Sequence, residues 1–160
     1  MKSGSNLEKV LAAGHFAVTA ELGPPMSADG EEVKRKMEIL RGNAEAFNIT
    51  DCQTAVVRMS SIASAIMLQQ GGLEPVMQMT TRDRNRIAIQ ADILGACAFG
   101  IKNCLCIAGD HQKFGAAGKL KGHPTAKNVY DVDSIQLLAI LRKMRDEGLQ
   151  EGGDPVGDPP

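Results

Sequence analysis

Glu21 and Asp110 are the two carboxylates whose neighbours give them the clearest chemical prospects. Glu21 stands near the end of a short apolar run, His15 to Leu22, just before Gly23-Pro24-Pro25. A carboxylate there is expected to be partly desolvated, which raises its pKa and suits a general acid near neutral pH. The plainer alternative is a strand-end carboxylate paired with a nearby arginine. Asp110 follows Gly109, and a glycine permits close approach of backbone to a ligand. Asp110 could equally cap the loop that follows it. Arg82, Arg84 and Arg86 crowd the polar stretch Thr80-Thr81-Arg82-Asp83-Arg84-Asn85-Arg86. They could meet anionic groups, helped by a helix N-terminus, or form a self-neutralising Arg–Asp cap, which the composition favours.

Other chemistries find less support. Cys52, Cys97, Cys104 and Cys106 form no Cys-x-x-Cys pair, and no histidine sits at finger-like spacing, so no metal site is expected. Cys104 and Cys106 lie two apart in an apolar run and read as small side chains on one face of a strand. His111 and His123 have no convincing metal partners. Gly115, Gly118 and Lys119 lack the spacing and the Ser/Thr of a Walker loop.

These residues must be positioned by elements, and the elements alternate. A strand over His15 to Leu22 stops at Gly23-Pro24-Pro25. A helix capped by Ser27 runs through Val33, Met37 and Leu40 to Gly42. A second strand covers Ala46 to Thr50, and a helix capped by Ser60 or Ser61 ends at Gly71-Gly72. Pro75 opens a strand through Thr80. A helix follows from about Arg84 to Ala98, with Ile87, Ala91 and Leu94 on one face. A fourth strand, Asn103 to Ala108, leads through a long loop, His111 to Asn128, to a helix from about Asp133 to Glu147. Its expected inner stripe is Leu137, Leu138, Leu141 and Met144. The last segment, Leu149 to Pro160, is rich in Gly, Pro and Asp and is expected to be a tail without packable structure.

Such βα alternation calls for a parallel sheet, because parallel strands need a crossover. Along the strands, Phe16, Val18 and Ala20, Phe47 and Ile49, Met77 and Met79, and Leu105 and Ile107 share one parity and are apolar. Thr19 and Glu21, Asn48 and Thr50, Gln78 and Thr80, and Cys104, Cys106, Ala108 and Asp110 share the other. The second set is small or polar, increasingly so toward the strand C-termini, where a βα barrel keeps its active site. A doubly wound sheet calls for two apolar faces. The fold class expected is therefore α/β of the (βα)8 barrel type, represented by its first four βα units, with residues 1–148 forming that half and residues 149–160 a tail.

The composition sets the outer limits. The chain has 160 residues, 18 Lys+Arg and 19 Asp+Glu, with 43% hydrophobic and 23% charged residues. That is one globular domain with a real core and no electrostatic case for nucleic acid. Aromatic content of 3% argues against a stacking platform for single strands. No apolar run approaches the roughly 20 residues of a membrane span, and the N-terminus lacks a signal-peptide core, so a cytoplasmic location is expected.

Ala20-Glu21-Leu22-Gly23-Pro24-Pro25 resembles the strand-one Glu and double-proline motif of methylenetetrahydrofolate reductases. EPVMQMTTRDRNRIAIQADILGACAFGIKNCLCIAGDHQKFG resembles the third and fourth βα units of that family. TDCQTAVVRMSSIA, the RDRNR run and AKNVYDVDSIQLL are most similar to the branch found in acetogens and related anaerobes. The resemblance covers about residues 7 to 148 and implies the N-terminal half of an eight-stranded barrel that carries FAD. It implies reduction of methylenetetrahydrofolate to methyltetrahydrofolate, with electrons from NAD(P)H or a ferredoxin-linked donor subunit. Glu21 matches the family's general acid, which protonates the folate amine as the ring opens. Asp110 matches the aspartate beside flavin and pterin, where a carboxylate stabilises a cationic iminium. Both thereby touch substrate. Thr50, Gln78, Gly109, Asp110 and Tyr130 fall at flavin-contacting positions, Gln78 standing where better-known bacterial enzymes have histidine and Ala108 where they have arginine. A homo- or hetero-oligomer is expected. The alternative is an inactive half barrel, or a subunit that needs a complementary chain.

Overall fold

The computed structural model describes residues 3–113 and 122–160. The expectation about Gly115, Gly118 and Lys119 lies outside the described residues. The elements run α1 (Asn6–Ala12), β1 (Thr19–Leu22), α2 (Gly30–Leu40), β2 (Ala46–Ile49), α3 (Ser61–Gln70), β3 (Pro75–Thr80), α4 (Arg86–Ala98), β4 (Asn103–Ile107) and α5 (Ser134–Glu147), with a 3-10 turn at Gln53–Ala55. The strands form one four-stranded parallel sheet in the order β1-β2-β3-β4. That order is consistent with a partial barrel.

The chain divides into two compact units. The first comprises Met1–Cys52, Val57–Gln78 and Phe99–Leu105. Its β1 pairs with β2 from Thr19↔Ala46 to Leu22↔Ile49, and β2 with β3 from Phe47↔Pro75 to Ile49↔Met77. Alternation then puts Leu22, Phe47, Ile49 and Met77 on one face, and all four are buried. The helices α2 and α3 pack on each other, α2 on β1 and α3 on β2.

The first strand is shorter than expected. Ahead of Thr19 there is no ladder, because β2 begins only at Ala46. Val18 meets Glu45 instead, donating to its carboxylate at 2.5 Å and accepting from its amide at 2.9 Å. Phe16 and Val18 are accordingly exposed rather than core. Asp29, not Ser27, caps α2, taking the Glu31 amide at 2.9 Å while Ser27 accepts from the Asp29 amide. Ser60 caps α3 as expected.

α1 is an additional helix. Ser5 accepts from the Glu8 amide at 3.0 Å, and Glu8 turns back to the Gly4 amide at 2.6 Å. Glu74 accepts from the amides of Asn6 and Leu7 and from the Asn103 side chain, which ties α1 below the N-terminal ends of β3 and β4. The Ser5-x-x-Glu8 spacing is a helix-start signature. α1 buries no residue, so no apolar stripe announces it.

The second unit comprises Gln53–Val56, Met79–Ala98 and Cys106–Pro160. Asn85 caps α4, its side-chain oxygen accepting from the amides of Ile87 and Ala88. The inner face of α4 is Ile89, Ile93 and Ala96, and the stripe Ile87, Ala91 and Leu94 is exposed. Both stripes share the spacing i, i+4, i+7, so periodicity alone does not choose between them. In α5 the buried stripe is Leu137, Ile140 and Met144, with Leu138 exposed and Leu141 half-buried. Asp133 and Gln136 close a full capping box, and Gly148 ends the helix in the left-handed conformation.

The segment after Gly148 is structured, contrary to the tail expected there. Leu149 bridges Pro155, Val156 donates to Gly148 at 2.7 Å, and Gln150 donates to Asp154 at 2.8 Å. Glu151 fastens this turn to α4. Its amide donates to the Gln90 side chain at 2.7 Å, and its carboxylate takes Arg86 at 2.9 Å. Polar docking of this kind leaves no apolar pattern to read.

Candidate functional site

In the first unit, Glu21, Asn48, Thr50, Val76 and Gln78 share the face opposite the helix-packed core, because Glu21 pairs with Asn48 and Asn48 with Val76. Thr50 and Gln78 extend that face at the strand C-termini. Glu21 is exposed, so the desolvation expected for it is not there. Nor does an arginine pair with it among the described residues. The loop beyond it is firmly held. Lys36 donates to the Gly23 carbonyl at 2.9 Å, Arg58 to that of Pro24 at 3.2 Å, and the Met59 amide to that of Pro25 at 2.8 Å. Thr50 is buried and its hydroxyl has no partner among the described residues. Gln78 is half-buried, and its carbonyl accepts from the Ser61 hydroxyl at 2.7 Å.

In the second unit, Gly109 has φ +88, and a Cβ there would come within 3.0 Å of the Thr80 side chain and 3.3 Å of Arg82 Cβ. Only glycine satisfies both demands. The Tyr130 hydroxyl donates to the Gly109 carbonyl at 3.3 Å, and the Tyr130 amide donates to the Thr81 carbonyl at 3.1 Å. Tyr130 itself has φ 40. The Asp110 carboxylate accepts from the Thr54 amide at 2.9 Å, and its carbonyl accepts from Arg82 at 3.1 Å. Neither bond caps the loop after Asp110. The geometry therefore brings Gly109, Asp110 and Tyr130 together, with Thr54 and Arg82 as supports that no local sequence pattern announces.

The arginines of residues 80–86 are all paired with carboxylates, only Arg82 with one inside the stretch. Arg82, 2% exposed, donates through Nε and Nη2 to Asp83. Arg84 pairs with Asp92 at 2.9 Å, and Arg86 with Asp131 at 2.8 Å as well as with Glu151. The hydrogen bonds that Arg86 donates to Asp131 and then to Glu151 push it further above its ordinary pKa, and Arg86 holds the Asp131 carboxyl below the usual range. None of the four cysteines is in a disulfide, and burial pushes the Cys97 thiol up. Among the described residues no cluster could hold a metal, and no helix is long and apolar enough to cross a membrane. A cavity of about 220 Å³ lined by Gly4, Ser5, Lys9, Glu74 and Lys102 lies at the strand N-termini, the end away from Glu21.

The family model for methylenetetrahydrofolate reductase matches residues 6–150. No curated protein matches the chain.

Proposed function

The chain belongs to the methylenetetrahydrofolate reductase family, and we propose that it supplies part of a site where flavin reduces 5,10-methylenetetrahydrofolate to 5-methyltetrahydrofolate. The family is one of oxidoreductases in folate one-carbon metabolism and is generally flavin-dependent. The observation that carries the reading is the match over residues 6–150, which spans every strand and helix described. We read the chain as the N-terminal half of the barrel, of the acetogen-like branch.

The residues present fit a flavin. The buried Thr50 hydroxyl has capacity to spare, and Gly109 keeps the backbone bare at the end of β4. Thr50 and Gln78, and separately Gly109, Asp110 and Tyr130, would hold FAD, which supplies hydride to the methylene carbon. Glu21 donates a proton to the folate amine as the ring opens. Its exposure means that bound substrate must provide the desolvation that makes the acid effective. Asp110, oriented by the Thr54 amide, places a negative charge where the iminium carries its positive one. Electrons would come from NAD(P)H or a ferredoxin-linked subunit.

A second reading is an inactive half barrel that needs a complementary chain. Among the described residues the sheet has four strands, and a closed barrel has eight. The purified chain, mixed with FAD and freed of excess, tests the first reading by its flavin absorbance and by anaerobic bleaching with 5-methyltetrahydrofolate. Absorbance that returns only with a chain carrying the remaining strands supports the second. Absence of flavin under both conditions overturns the first.

A further inference from the structure

Gln112 follows Asp110 by two residues in the second unit. It is 2% exposed, and its amide nitrogen and amide oxygen are both buried with no hydrogen-bond partner among the described residues. Thr81, fully buried in the same unit, has a hydroxyl in the same condition. Buried polar groups are nearly always paired, and an unpaired one asks for a reason.

The backbone around them is already committed. Thr81 donates to Ile107 at 3.1 Å and Arg82 to Ala108 at 3.0 Å, while Arg82 and Tyr130 hold the carbonyls of Asp110 and Gly109. A segment pinned this way has little freedom to bring Gln112 a partner from among the described residues. The unmet capacity has a definite chemistry. A primary amide sets two donors beside an acceptor and matches a ring edge that sets an N–H beside a C=O. A threonine hydroxyl can serve either kind of group.

We propose that the Gln112 amide is a binding determinant for the lactam edge of a fused pyrimidine ring, the edge that an isoalloxazine and a pterin share. The inference rests on the flavin and folate reading given above, and assigns to it a residue that reading does not use. Gln112 has three side-chain torsions, so the amide can turn to meet a ring while the pinned backbone stays in place.

Gln112→Met keeps length and removes both polar atoms. If the amide is kept for a ligand, its removal relieves a burial penalty in the free protein and damages binding. The ligand-free Gln112→Met chain is then expected to melt about 2–4 °C higher than the unchanged chain. Its affinity should fall about 10-fold or more for FAD, followed by flavin fluorescence, or for 5-methyltetrahydrofolate, followed by calorimetry. Whichever probe loses affinity identifies the ring that Gln112 meets. A lower melting temperature, a failure to fold, or unchanged affinity for both probes would overturn the inference and mark Gln112 as a structural amide satisfied by water. If the unchanged chain binds neither probe, the flavin and folate reading fails and this inference fails with it.

Discussion

Glu21 projects from a strand end whose following loop is fixed by Lys36, Arg58 and Met59, so the carboxylate is positioned without being buried. In the flavin-loaded protein, Glu21→Gln should slow methylenetetrahydrofolate reduction by about 10²–10⁴-fold, the usual loss for a missing general acid. Flavin reduction by an artificial donor should persist, since it involves no ring opening. Stopped-flow measurement of the two half-reactions checks this, and near-normal folate turnover would remove Glu21 from the role. Gly109 poses a different constraint, because φ +88 and the nearby Thr80 side chain both exclude a Cβ. Gly109→Ala should cost about 2 kcal/mol or more in urea unfolding. Both residues stand out in the sequence, Glu21 before Gly-Pro-Pro and Gly109 before Asp110. Arg82 did not stand out as a support. Its burial depends on the Asp110 carbonyl, 28 positions along the chain, and local composition holds no trace of that contact.

Among the elements, α4 separates pattern from packing most clearly. Ile93→Ala, on the buried stripe, should destabilise by about 2–4 kcal/mol, whereas Ile87→Ser should fall within about 0.5 kcal/mol of the unchanged protein. Chemical denaturation of the two variants measures the difference, and equal effects would contradict the orientation of the helix. The start of α4 is also where pH should act. Arg86 keeps the Asp131 carboxyl below its ordinary pKa in the folded state. That contribution is fully present above the unfolded carboxylate value, about 3.9, and is lost as pH falls through the lower folded value. Asp131→Asn lacks it, so the variant's urea midpoint should drop less than that of the unchanged protein between pH 7 and pH 3. Identical drops would show that Asp131 contributes nothing through its charge.

For the molecule as a whole, the relevant feature is a parallel sheet whose order ends in β1 and β4. Unpaired strand edges template association, and Phe16 and Leu105 add exposed apolar surface close in sequence to those strands. Met79 is buried and adds nothing to that surface. Size-exclusion chromatography with light scattering should find the chain dimeric or larger. A monomer indifferent to hydrophobic dye would argue that the edges are protected.

The sequence by itself determined the succession of elements from β1 to α5, the parallel sheet and the parity that separates Leu22, Phe47, Ile49 and Met77 from Glu21, Asn48 and Gln78. These follow from local rules: a period of two in strands, glycine at helix ends, serine and aspartate at helix starts. The third strand, Pro75–Thr80, was legible to the residue because proline opens it and a polar turn closes it. Only the tertiary structure decided which stripe of α4 faces inward, where β1 begins, and how the segment after Gly148 docks. Each of those depends on a partner far along the chain, Glu45 for Val18 and Glu151 for Arg86 and Gln90. The unpaired amide of Gln112 belongs with them, because whether a polar group is satisfied depends on everything packed around it.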